Sequence, residues 1–74
     1  MKTAEQVLIE VRAEHAEVTA KLGRLHAFLH GPRPLLSPHH HMLLRMQADA
    51  MTHYTNVLHQ RINLLMSERT GSPE

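Results

Sequence analysis

The first half of the chain carries residues at alternating spacings of three and four, the heptad pattern of a helix that packs against another helix. The positions that follow this spacing are Leu8, Val11, His15, Val18, Leu22, Leu25 and Leu29, of which all but the histidine are apolar. Thr3, followed three residues later by Gln6, forms a capping-box pattern at the start of the stretch. The sequence therefore predicts a helix over about residues 4–29.

A segment rich in glycine and proline, HGPRPLLSP, follows this helix and ends it. Gly31 is placed to cap the helix in the left-handed conformation, and Pro32 and Pro34 cannot continue a helix. Ser37 and the proline after it are a typical helix start, with the serine hydroxyl as N-cap. The expected elements after the first helix are a turn at 30–37, a helix over about 38–69 and a frayed tail at 70–74.

The second predicted helix has a wide apolar surface. Its heptad line contains Leu44, Gln47, Met51, Tyr54, Leu58, Arg61 and Leu65. The residues beside that line are Leu43, Met46, Ala50, Val57, Ile62 and Leu64. Together the two lines form an apolar surface that is wider than one partner helix can cover.

These patterns predict an all-α fold in which one domain forms an antiparallel two-helix hairpin, because the connection between the helices is short. A chain of 74 residues has a marginal core, and this one has no cysteine for disulfides. Association of copies into a homo-oligomeric helix bundle, most often about a two-fold axis, is the expected remedy.

The composition argues against several classes of function. With a formal net charge of +1 and only Phe28 and Tyr54 as aromatic residues, the chain suits neither nucleic-acid binding nor base stacking. No apolar run approaches the roughly 20 residues of a membrane span, so we expect a cytoplasmic protein without a membrane partner. We also expect no enzymatic activity and no cofactor, because a nucleophile with evident base and acid partners and a phosphate-binding glycine loop are both missing.

Two segments carry extended motifs. The form K-L-x-x-L-x-x-F-[IL] occurs in EVTAKLGRLHAFL at 17–29, and the form L-L-x-x-Q-x-x-A-M-x-x-Y-x-x-x-L-x-x-R-I occurs in LLRMQADAMTHYTNVLHQRI at 43–62. These motifs resemble those of a family of short proteins of tailed phages and prophages, the crAss-phage-related hypothetical proteins. A looser resemblance, in architecture, is to the hairpin domains of phage anti-CBASS and anti-Thoeris sponge proteins. These resemblances imply a helical hairpin that oligomerises and sequesters a nucleotide signal inside a bacterial host cell.

Gln47, Tyr54 and Arg61 lie seven residues apart and are the first candidate ligand site. In an oligomer, Arg61 could hold a phosphate while Tyr54 and Gln47 contact a base or ribose. The structural alternative is that Gln47 and Tyr54 bond across a seam of the bundle and set its register, while Arg61 reaches the edge of the bundle or pairs with Glu14 or Glu17. His15 would either join this polar layer or be a satisfied interior histidine.

Five histidines lie near the turn: His26, His30, His39, His40 and His41. Imidazoles at such spacing can bind zinc, nickel or copper. However, the three consecutive histidines point in different directions and no carboxylate lies among the five in the sequence. The preferred interpretation is an exposed polar turn, so we expect no metal site.

The sequence thus leads to one main function and an alternative. The main hypothesis is a phage counter-defence protein that binds a small nucleotide immune signal between subunits, through Arg61, Tyr54, Gln47 and His15. The alternative is a protein-interaction module that inhibits a host defence protein through its exposed apolar helix face. A structural phage component is a third possibility.

Overall fold

The computed structural model describes residues 2–31 and 36–69 of the chain. Within these ranges it is all-helical, with α1 at Ala4–His30 and α2 at Pro38–Arg69, and it contains no strand. Neither of these helices has the length and apolar character needed to cross a membrane. Pro32 and Pro34, predicted to end the first helix, and the predicted tail at 70–74 lie outside the described residues.

The N-terminal caps of both helices are the ones predicted. Thr3 Oγ1 accepts a hydrogen bond from the Gln6 backbone N–H at 3.1 Å, and Gln6 Oε1 accepts one from the Thr3 N–H at 2.9 Å. At the start of α2, Ser37 Oγ accepts a hydrogen bond from the His40 N–H at 3.1 Å. Both hydroxyls therefore satisfy backbone donors that the first turn of a helix leaves free.

The cap at the end of α1 differs from the prediction. Gly31 has φ −87° and ψ −167°, which is extended backbone and not the left-handed conformation that we expected. The reason lies in the next residue, because the position before a proline is restricted to the extended region. Gly31 therefore turns the chain out of the helix without a left-handed cap.

Contacts between α1 and α2 run in opposite order along the two helices. His15, in the first half of α1, lies against His59 in the second half of α2. His26 and His30, at the end of α1, line a cleft with His41, near the start of α2. This is the order in which antiparallel helices meet.

The core lies along the seam between the helices. Leu8 and Leu58 are its most deeply buried side chains, at 1% and 0% exposure. The heptad line predicted for α1 is buried or half-buried at every position. On α2 the buried and half-buried line is His41, Leu44, Ala48, Met51, Thr55, Leu58, Ile62 and Leu65.

The core line predicted for α2 is therefore correct at its apolar positions, which are Leu44, Met51, Leu58 and Leu65. Gln47, Tyr54 and Arg61 do not lie on the core face of the hairpin, and all three are exposed. The residues that follow them, Ala48, Thr55 and Ile62, take the inward positions, because one residue turns the side chain by about 100° around a helix. The buried hydroxyl among these residues is satisfied locally, since the Oγ1 of residue 55 donates to the carbonyl of residue 52 at 2.9 Å.

Candidate functional site

The polar line Gln47, Tyr54 and Arg61 lies on an exposed surface of α2 that also carries large apolar side chains. We call this surface the ladder face; its apolar members are Leu43, Met46, Ala50, Val57 and Leu64. Of these, Leu43 is 47% exposed, Met46 57% and Val57 39%. A single chain therefore presents polar groups within an uncovered apolar surface, as an interface or a shared ligand site would.

Tyr54 connects the ladder face to α1. Its hydroxyl donates a hydrogen bond to the Glu14 carboxylate. This bond is the main cause that raises the pKa of Tyr54 above 10.0, followed by desolvation and by the negative charge of Glu14, whereas the positive charge of Arg61 lowers it. The sequence interpretation placed a cross-helix bond at Tyr54, and the structure identifies Glu14 as its acceptor.

Arg61 is the cation of the ladder face. It lies seven residues, or about 10 Å along the helix, beyond Tyr54. Among the described residues it makes no ion pair, and Glu14, which we considered as a partner, binds the tyrosine hydroxyl instead. The guanidinium is therefore available to an anion or to another chain.

Gln47 makes only a weak contact within its own helix, from its side-chain nitrogen to Met51 Sδ at 3.9 Å. If Gln47 set the register within one hairpin, its amide would form a hydrogen bond to α1. In the described part of the chain it forms none. Its polar group, like that of Arg61, is therefore left for a ligand or a second subunit.

His15 lies on the other side of the seam from the ladder face. Its ring centroid is 6.1 Å from that of His59, with the planes tilted by 42°. His59 follows Tyr54 by five residues, which corresponds to about 140° around the helix. Within one hairpin the ring of His15 therefore lies against His59, on a side of α2 away from the polar line.

The histidines near the turn divide into two groups. His26, His30 and His41 line an open cleft of about 350 Å³, together with Leu29, Arg45, Ala48 and Asp49. His39 and His40 are exposed and do not line it. Asp49 corrects the statement that no carboxylate accompanies the cluster, yet in the described ranges no three His, Cys, Asp or Glu side chains are arranged to hold a metal ion.

Sequence reasoning considered Glu14 as a partner of Arg61 and not of Tyr54, and it missed Arg45 and Asp49 in the cleft. Arg45 and Asp49 follow His41 at steps of four, so helical spacing could have indicated that they share its side of α2. Glu14 had no such signal, because its neighbour depends on the register between the two helices.

The family model for Sequestin matches residues 5–64. The match spans α1 and most of α2, and it includes both the ladder face and the cleft. No curated protein and no solved structure matches the chain.

Proposed function

The chain belongs to the Sequestin family, and from that premise we propose that it is a non-enzymatic protein that sequesters a small nucleotide signal between the subunits of a homo-oligomer. The observation that carries this proposal is the family match over 5–64, since the family name describes sequestration. The setting that we propose is counter-defence by a phage or prophage in the cytoplasm of a bacterial cell.

The shape of the chain explains why the site needs more than one copy. The molecule measures 54 × 20 × 18 Å, so it is only two helices thick. Ligand pockets usually bury most of the ligand surface, which the exposed ladder face of one copy cannot do alone. A second copy packed on the ladder face would cover Leu43, Met46 and Val57 and enclose a ligand at the same time.

The polar groups of the ladder face suit the parts of a nucleotide. The Arg61 guanidinium supplies a planar set of donors for phosphate oxygens. Tyr54 and Gln47 would contact the base or ribose, and Glu14, held by Tyr54, is an acceptor for a ribose hydroxyl. His15 would belong to this site only if another subunit contributes it, since its own hairpin places it on the far side of the seam.

A second candidate function is favoured by the same exposed apolar side chains. Met46 at 57% and Leu64 at 61% exposure could pack against a groove of a host protein and inhibit it. The two functions differ in what covers the ladder face, which is another copy of the chain in the first and a different protein in the second.

Native mass spectrometry of the untagged protein, purified from bacterial cells without added metal, tests the proposal. We expect a closed oligomer that retains a nucleotide-sized mass. Arg61→Ala should lose that mass while its circular-dichroism spectrum stays helical, and Arg24→Ala, which removes an exposed arginine of α1 outside the ladder face, should keep it. Retention of the mass by Arg61→Ala would refute the site, and a monomer that associates only with a host protein would favour the second function.

A further inference from the structure

The cleft near the turn end of the hairpin is a second place, apart from the ladder face, where the chain gathers polar side chains. We propose that this cleft binds the phosphate group of a small phosphorylated molecule. Its lining comes from the last turns of α1 and the first turns of α2, whereas Tyr54 and Arg61 lie on another side of α2. The proposal is therefore independent of the ladder-face site.

The cleft has the size and surface of a small-ligand site. Its volume of about 350 Å³ falls at the lower end of the range of about 300–1,000 Å³ that is usual for ligand pockets. Leu29 and Ala48 supply apolar surface, and the remaining lining side chains are all polar or charged. Such a site suits a ligand with one compact charged group and a less polar remainder.

The hydrogen-bond donors in the cleft suit an anion. Arg45 and three histidines, His26, His30 and His41, line it together with a single carboxylate, that of Asp49. Although Asp49 follows Arg45 by one helical turn, these two side chains form no ion pair within the part of the chain that is described. The Arg45 guanidinium is therefore free to make a two-pronged contact with phosphate oxygens.

His30 is oriented by its own helix. Its Nδ1 lies 2.9 Å from the His26 carbonyl oxygen, and because a carbonyl can only accept, Nδ1 carries the proton. The free nitrogen is then Nε2, which accepts a hydrogen bond when the ring is neutral and donates one when the ring is protonated. Phosphate oxygens act as acceptors. The Nε2 atom of His30 therefore binds them when the imidazole ring is protonated.

A metal ion fits the same side chains less well. The described residues contain no group of three or more histidine or carboxylate side chains in a metal-binding arrangement. In addition, the fixed charge of Arg45 repels a cation in the same space. An anion can use the arginine and the donors of the histidine rings together.

Nuclear magnetic resonance of histidine imidazoles tests the proposal in the full-length ¹⁵N-labelled protein. Inorganic phosphate is titrated at about pH 6 with a chelator present, so that bound metal cannot contribute. We expect saturable shifts of His26, His30 and His41. Arg45→Gln should weaken binding about tenfold or more, because it removes a charge-assisted contact.

A matched variant controls for the loss of one positive charge. Arg24→Gln changes an exposed arginine of α1 outside the cleft, so phosphate should shift its cleft histidines as it does in the native chain. Arg61→Gln changes the ladder face and shows whether the shifts of the cleft histidines depend on that site. Arg45→Lys keeps the charge and the helix but loses the planar set of donors, so it should bind with intermediate affinity. If Arg45→Gln loses helicity, Arg45→Lys decides the test through the same titration.

Two results would overturn the proposal, because both indicate a general effect of ionic strength. One is that the histidine shifts grow without saturating, and the other is that Arg24→Gln weakens phosphate binding as much as Arg45→Gln does. Loss of binding in Arg61→Gln with retention in Arg45→Gln would also overturn it. The last titration uses adenosine monophosphate in place of inorganic phosphate. Saturation by it at the same histidines supports a phosphorylated organic ligand, whereas saturation by inorganic phosphate alone contradicts that ligand class.

Discussion

The Tyr54 hydroxyl donates a hydrogen bond to the Glu14 carboxylate and thereby joins two helices at positions 40 residues apart in the chain. The bond connects the two helices beside the ladder face, and it leaves the tyrosine side chain 41% exposed. Arg61, about two turns further along α2, acts on the same hydroxyl with the opposite electrostatic effect. The pKa of Tyr54 therefore reports on the tyrosine itself and on its two charged neighbours, Glu14 and Arg61.

Replacing Glu14 should change the titration of Tyr54. The chain has one tyrosine and no tryptophan, so ultraviolet absorbance of tyrosinate reports this residue alone. The pKa of native Tyr54 lies above 10.0, and Glu14→Gln should lower the pKa toward that value because a neutral acceptor replaces the charged one. Arg61→Gln should instead raise the pKa further. A native pKa at or below 10.0 would contradict the bond.

The same bond predicts how stability depends on pH. Tyr54 binds its proton more tightly in the folded chain than in the unfolded chain, because its pKa is raised by folding. This contribution to the free energy of unfolding is complete below about pH 10 and is lost as the pH rises through the folded-state pKa. Thermal unfolding followed by circular dichroism between about pH 9 and pH 11 should therefore show a steeper loss for the native chain than for Glu14→Gln.

The register of α2 can be tested by substitutions in its two heptad lines. Leu58 is 0% exposed, so Leu58→Ala should reduce the free energy of unfolding by about 2–5 kcal/mol. Gln47 is exposed and bonds only weakly within its helix, so Gln47→Ala should change stability by less than about 0.5 kcal/mol. Urea unfolding at fixed protein concentration measures both values. A larger loss for Gln47→Ala that is the same at every protein concentration would place the polar line in the core, whereas a loss that depends on concentration would place it at a subunit interface.

The helices and their N-caps could be predicted because they depend on local sequence. The heptad line of α1 is equally clear, since its apolar residues fall on a single face. The line of α2 is ambiguous, because Leu44, Met51, Leu58 and Leu65 belong to two overlapping heptads. The choice between them depends on which residues meet Leu8 and Val11 of α1, and that information is not local.

The candidate site could be predicted in its residue types but not in its surroundings. Tyr54 and Arg61 stand out in the sequence as polar residues at heptad spacing, wherever the core lies. Their relation to Glu14, and the separation of His15 from them, follow only from the register between the helices. The cleft likewise requires the fold, because Arg45 meets His26 only when α2 returns along α1.

Ser37→Ala should destabilise the start of α2. The mutation removes the acceptor of the His40 N–H, which is bonded at 3.1 Å, and loss of such a cap costs about 1 kcal/mol. Ser37→Asp is the matched control, since its carboxylate can accept the same bond and also suits the positive end of the helix. Urea unfolding compares the three chains, and equal stability of Ser37→Ala and the native chain would show that the cap contributes nothing.

Gly23→Ala should stabilise the protein. Gly23 lies in the interior of α1, and a Cβ placed there meets no atom within 4 Å. Alanine removes the conformational penalty of glycine in a helix, so the free energy of unfolding should rise by up to about 1 kcal/mol.

Gly31→Ala is the control for Gly23→Ala, because it makes the same substitution at a crowded position. A Cβ at Gly31 would lie 3.0 Å from the Ala27 carbonyl oxygen, so we expect no gain in stability there. Thermal unfolding at one protein concentration, with the mass of the assembly measured in parallel, compares both variants with the native chain. If Gly23→Ala lowers stability and also dissociates the protein, then a second copy approaches α1 closely at Gly23, and the ladder face alone does not form the interface.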